Sequence, residues 1–149
     1  MFMLDTNVFN RVLDGAYDPT LLSLRGQLLV THIQLDEITA TSNTERRNKL
    51  LSTFKLVEHQ KILTAAGAWN VTQWSDAQWT PEDGSYNAML ASLDKRNKNK
   101  KNNTQDILIG LTVVKGRYTL VTDDSDLAAV VKEFGGASET FDQFSQHAR

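Results

Sequence analysis

Three short apolar runs constrain what this chain can become. Met1-Phe2-Met3-Leu4, Gln27-Leu28-Leu29-Val30-Thr31 and Arg117-Tyr118-Thr119-Leu120-Val121-Thr122 are strand-length. Each leads into residues with helical spacing: Val8, Phe9, Val12 and Leu13; then Ile33, Glu37 and Ile38; then Asp123 to Phe134. Strands alternating with helices are connected by crossovers, and crossovers make parallel sheets covered on both faces. The expected fold is therefore α/β, three layers α/β/α, with a mainly parallel central sheet.

Between those runs the pattern fills in. Asp18 and Pro19 open a short helix that stops at Gly26. Leu50, Leu51, Phe54, Val57, Ile62 and Ala65 mark one long amphipathic helix from Thr44 to about Ala66. Trp69, Trp74 and Trp79 follow without clear period, with Val71-Thr72-Gln73-Trp74 as a weak strand candidate. A helix over Gly84 to Leu93 precedes Lys95-Arg96-Asn97-Lys98-Asn99-Lys100-Lys101-Asn102-Asn103, which lacks any apolar residue and reads as a solvated loop. Thr104 is placed to cap a helix over Asp106 to Lys115 that Gly116 ends, and Thr140 with Gln143 has capping-box spacing. No repeat or linker divides residues 1–149, so a single domain is expected.

Composition excludes several classes of function. There is no cysteine, so thiolate metal sites and cysteine nucleophiles are absent. Sixteen Lys+Arg against eighteen Asp+Glu give a net charge of −2, so any nucleic-acid contact has to use a local basic patch. No apolar run reaches membrane-spanning length and Asp5 interrupts the N-terminus early, which leads to the expectation of a soluble cytoplasmic protein. His32, His59 and His147 lack metal-ligand spacing, and no Gly-x-Ser-x-Gly, Walker A or Gly-x-Gly-x-x-Gly motif occurs.

The chemistry lies in the acids. In parallel sheets ligands bind beyond the carboxyl ends of the strands. There the chain places Asp5, then Asp36 and Glu37, then Asp123, Asp124 and Asp126, with Asp106 opening the preceding helix. Two carboxylates about 4 Å apart repel by roughly 4 kcal/mol at an effective dielectric of 20. A raised pKa, a recruited basic group or a divalent cation relieves this; oxygen donors favour Mg²⁺ or Mn²⁺. The structural alternative is plain: Asp5, Asp123 or Asp124 as helix caps, Asp106 as a dipole partner and Glu37 as a solvated residue.

The motifs Met3-Leu4-Asp5-Thr6-Asn7-Val8-Phe9, Thr31-His32-Ile33-Gln34-Leu35-Asp36-Glu37-Ile38, Asp106-Ile107-Leu108-Ile109-Gly110 and Leu120-Val121-Thr122-Asp123-Asp124-Ser125-Asp126-Leu127 occur in an order that resembles PIN-domain ribonucleases. Chain length is similar to the VapC-type toxins of toxin–antitoxin pairs. The resemblance implies that Asp5, Glu37 and Asp106 hold Mg²⁺ or Mn²⁺ with a fourth acid, Asp124 first and Asp126 second. It makes Asn7, Thr6 and Thr122 orienting residues and Asp123 a cap. It implies metal-dependent endoribonuclease activity on RNA, a homodimer and a cognate antitoxin protein. A nuclease outside any toxin system, or a PIN-like binding module without turnover, remains the alternative. No family pattern covers Trp69 to Asn103. Its basic residues Lys95, Arg96, Lys98, Lys100 and Lys101 are either a solvated loop or a guide bringing an RNA backbone to Asp106. The tryptophans are either buried or base-stacking.

Overall fold

The computed structural model describes residues 1–65 and 84–147. Trp69, Trp74, Trp79 and the Val71–Trp74 strand candidate lie outside the described residues. Within them the order is β1 (Phe2–Leu4), α1 (Thr6–Asp14), a 3-10 turn (Pro19–Arg25), β2 (Leu28–Val30), α2 (His32–Thr39), α3 (Thr44–Leu56) and β3 (Gln60–Lys61). After the gap come α4 (Ser85–Asn97), α5 (Asn103–Gly116), β4 (Thr119–Val121), α6 (Ser125–Glu133), β5 (Ala137–Glu139) and α7 (Phe141–Gln146).

The strands form one sheet in the order β3-β2-β1-β4-β5, and every pair is parallel. Met3 sits between Leu29 and Leu120 in register, and Leu4 beside Val121. Because side chains alternate along a strand, these neighbours serve opposite faces. Met3, Leu29 and Leu120 pack with Met89, Leu93, Ile107, Leu111 and Val130 from α4, α5 and α6. Leu4, Leu28, Val30 and Val121 pack with Phe9, Leu50, Phe54, Phe141 and Phe144 from α1, α3 and α7. The fold is the three-layer α/β/α arrangement expected.

Four boundaries differ from expectation. Helix α3 ends at Leu56 instead of near Ala66, because Val57 packs on the α1/α3 side of the sheet while Ile62 packs on the other. Of the four residues between them, Gln60 and Lys61 form β3, an exposed edge strand. Strand β5 follows Gly135-Gly136, again at an edge. Thr104 does not cap α5, which begins at Asn103 and has no side-chain cap at Asn102. The basic run is not one loop: Lys95 and Arg96 end α4, and only residues 98–102 form the turn.

Strand order reverses at β1, since β2 lies on one side and β4 on the other. That switch point opens a crevice at the carboxyl ends of β1 and β4, where Asp5 and Thr122 stand. Gln34 fixes the neighbouring helix to it. It is fully buried, accepts the Thr31 backbone N–H at 2.9 Å as half of a capping box, and donates to the Leu4 carbonyl at 2.8 Å. Replacing it by Ala leaves the Leu4 carbonyl without this donor, and a chemical-denaturation midpoint should report a loss of about 2 kcal/mol.

Candidate active site

Asp5 is the hub. It is buried, and it caps α1 by accepting the Thr6 N–H at 2.7 Å on Oδ1. Its Oδ2 accepts from Asn7 Nδ2 at 2.7 Å and from Thr122 Oγ1 at 2.6 Å. Thr122 comes from the end of β4, so the carboxylate bridges the switch point. Asn7 also donates to Thr122 Oγ1 at 3.0 Å, and its side-chain Oδ1 accepts the Asp123 N–H at 3.3 Å. The three orienting residues named from sequence are thus one network: Asn7 and Thr122 hold Asp5, while Thr6 donates its hydroxyl to Glu37 Oε2.

Asp124 caps α6, with Oδ1 accepting the Asp126 and Leu127 N–H groups at 2.9 and 3.0 Å. Asp123 does not cap α6 as expected. It accepts the Phe141 N–H at the start of α7 at 3.0 Å and pairs with Arg11 at 3.1 Å. Asp5 and Asp124 thus cap helices with Oδ1, while Oδ2 of Asp5 is held by Asn7 and Thr122.

The charges show which acids converge. Burial, then the nearby charges of Asp5, Glu37 and Asp124, push the Asp106 carboxyl up to about 8, with Lys100 opposing. Asp5 is pushed up to about 6, first by burial, with Glu37 and Asp124 adding to it and the Thr122 hydroxyl and Thr6 N–H opposing. Glu37 is raised by burial and by Asp36, against the Thr6 hydroxyl. Asp126 is absent from the charges acting on Asp5 and Asp106. Asp5, Glu37, Asp106 and Asp124 thus come from four elements to one field. Among the described residues no Lys, Arg or His forms an ion pair with any of them.

A cleft of about 510 Å³ runs beside the acids, with Asp36, Glu37 and Thr41 on one wall and Asn102 and Gln105 on the other. The basic residues divide around it. Lys95 and Arg96 act on Glu133 of α6, Arg96 at 3.4 Å, so they face away from the acids. Lys98, Lys100 and Lys101 are exposed in the turn, and among the described residues Lys100 is the cation that acts on Asp106. Two features escaped the sequence reading: Gln34, although Thr31 and Gln34 carry the capping-box signature, and the buried pair Asn97 and Asn103.

Among the described residues no three His, Asp or Glu side chains form a ready-made metal cage. The donor set nonetheless suits a hard cation. Mg²⁺ keeps several waters and needs only one or two carboxylates beside substrate phosphate, and a divalent charge would offset the burial and the repulsion that raise Asp5 and Asp106.

No family model matches the chain, and no curated protein matches it. Among solved structures it is similar to a chain in the crystal structure of a member of the VapBC family of toxin-antitoxin systems, VapBC-5, from Mycobacterium tuberculosis. The two are 22% identical, with 93% of this chain and 94% of that one covered and a TM-score of 0.44. No helix among the described residues is long and apolar enough to cross a membrane.

Proposed function

We propose that this chain is a Mg²⁺- or Mn²⁺-dependent endoribonuclease of PIN type, cytoplasmic, and the toxin of a toxin–antitoxin pair. One observation carries the reading: Asp5, Glu37, Asp106 and Asp124 come from four elements to the sheet's switch point, where burial first and then neighbouring carboxylates push Asp106 and Asp5 up, and among the described residues none of the four has an ion-pair partner. The ordered motifs that resemble PIN-domain ribonucleases support the choice of RNA. They also support a homodimer and a small antitoxin that covers the site.

In this reading Asp5, Glu37, Asp106 and Asp124 hold the cation directly or through water. When bound, the cation would supply an activated water and charge neutralisation for in-line hydrolysis of a phosphodiester. The chain's own residues prepare the place. Asn7 and Thr122 fix the Asp5 carboxylate in one rotamer, and Thr6 orients Glu37. Asp124 keeps Oδ2 free of its capping role. Asp106 gives up its proton as positive charge arrives. Lys98, Lys100 and Lys101 contact phosphates flanking the cut.

Purified protein incubated with single-stranded RNA and millimolar Mn²⁺ should cut internally, leaving 5′-phosphate and 3′-hydroxyl ends, and EDTA should stop it. Bound but uncut RNA would instead make the chain a binding module. Cutting that persists in EDTA and leaves cyclic phosphates would rule out the cation-dependent reading. Copurification with the product of an adjacent small gene tests the antitoxin.

A further inference from the structure

The turn between α4 and α5 is pinned from inside. Residues 97–103 include no apolar side chain, yet Asn97 and Asn103 are only 9% and 2% exposed. Each amide donates to the other's carbonyl at 2.7 Å. Asn103 Nδ2 also donates to Asp94 Oδ1 at 2.6 Å, and Asn97 Oδ1 accepts the Lys100 N–H at 3.5 Å. The Asn99 N–H reaches the Asp94 carbonyl at 3.2 Å, and Lys98 and Asn99 both take left-handed φ values, 59° and 58°.

The left-handed Lys98 simply ends α4 as its C-cap, but the buried amide pair is more than a solvated connection needs. Burying two amides is unfavourable unless both are hydrogen-bonded, and left-handed backbone is strained at Lys. The clasp overcomes both and leaves Lys98, Lys100 and Lys101 exposed, each outside any ion pair among the described residues. Asn102 of the same turn lines the cleft together with Asp36 and Glu37. The cleft that Asp36 and Glu37 line is therefore bordered, through Asn102, by the turn that carries these lysines.

We infer that the Asn97–Asn103 clasp is a positioning device that holds Lys98, Lys100 and Lys101 at the cleft mouth, where they grip the phosphates of an RNA strand on its way to Asp106. The inference rests on the nuclease reading and adds the residues that place the substrate. Asn97 and Asn103 touch no RNA; they act through the lysines. A backbone fixed in advance means that less ordering is left to do on binding.

The test is a coupling measurement with a short mixed-sequence single-stranded RNA, bound to the uncleaving Asp106→Asn protein at several salt concentrations. Asn97→Ala should weaken binding about three- to tenfold and flatten the salt dependence by roughly 0.7 in slope per lost phosphate contact. In a protein that already carries Lys98→Gln, Lys100→Gln and Lys101→Gln, the same Asn97→Ala should change neither. In the active protein Asn97→Ala should raise KM and leave kcat within about twofold, whereas a loss of folded molecules would lower kcat at unchanged KM. Should Asn97→Ala not fold, Asn97→Ser carries the same comparison. Equal weakening with and without the lysines would overturn the inference, as would an unchanged salt slope in the triple lysine variant. In either case, wild-type cleavage of RNA would leave the nuclease reading standing; absence of cleavage and binding would remove both.

Discussion

Replacing Asp106 by Asn should make the cation-free protein more stable at pH 8, by about 2 kcal/mol, which is a rise of roughly 4–8 °C in melting temperature for a chain this long. The Asp106 carboxyl binds its proton up to about pH 8 when folded, against 3.8 for an ordinary Asp. Between those values the folded state holds a proton that the unfolded state has released. Stability therefore falls as pH rises. The contribution is whole below pH 3.8 and lost as pH climbs through 8. The amide has no charge to repel Asp5, Glu37 and Asp124, so its advantage is largest at pH 8 and vanishes below about pH 4. Melts in EDTA across this range check the sign. A less stable Asp106→Asn protein at pH 8 would mean that the carboxylate is favourably held.

On the proposed nuclease reading, Asp5→Asn should lower RNA hydrolysis by about 10³-fold or more, as should Asp106→Asn, because either change removes a charge that a bound cation would need. Their effects on the fold part company. Asp5 accepts three hydrogen bonds, from Thr6, Asn7 and Thr122. An amide at that place turns an NH₂ toward a donor, whichever way it points, and costs about 1–3 kcal/mol. Asp106→Asn should thus be inactive and more stable, Asp5→Asn inactive and not stabilised to the same degree. Stability gained as activity is lost is the mark of a site whose strain serves function. Steady-state cleavage with paired melts reads both. Asp36→Asn, exposed beside Glu37, should be mild.

The central strands were readable because β1, β2 and β4 are buried on both faces and so need continuous apolar runs. The edge strands were not. Gln60 and Lys61 are both exposed and join the sheet through backbone pairing with Leu29 and Val30, which leaves no trace in side-chain pattern. The long-helix reading over 44–66 failed for the same reason, since Val57 and Ile62 are apolar toward different faces of the sheet. At the site, Asp5, Asp106 and Asp124 stood out because strand ends and helix starts are visible in sequence. The choice of Asp124 over Asp123 as cap was not, because it depends on which carboxylate faces α7 and Arg11. Gln34 and the Asn97–Asn103 clasp are buried amides, and residue type alone does not separate them from surface polar residues.

Calorimetric titration of Mn²⁺ at pH 7.5, in two buffers of different ionisation enthalpy, tests the cation centre most directly. Asp106 binds its proton up to about pH 8 and must release it when a cation takes its oxygen. Saturable binding with close to one proton released per site is expected, with no proton release in Asp106→Asn and binding lost in Asp5→Asn. No binding at millimolar Mn²⁺, or the same buffer-independent heat in wild type and Asp106→Asn, would contradict the cation centre.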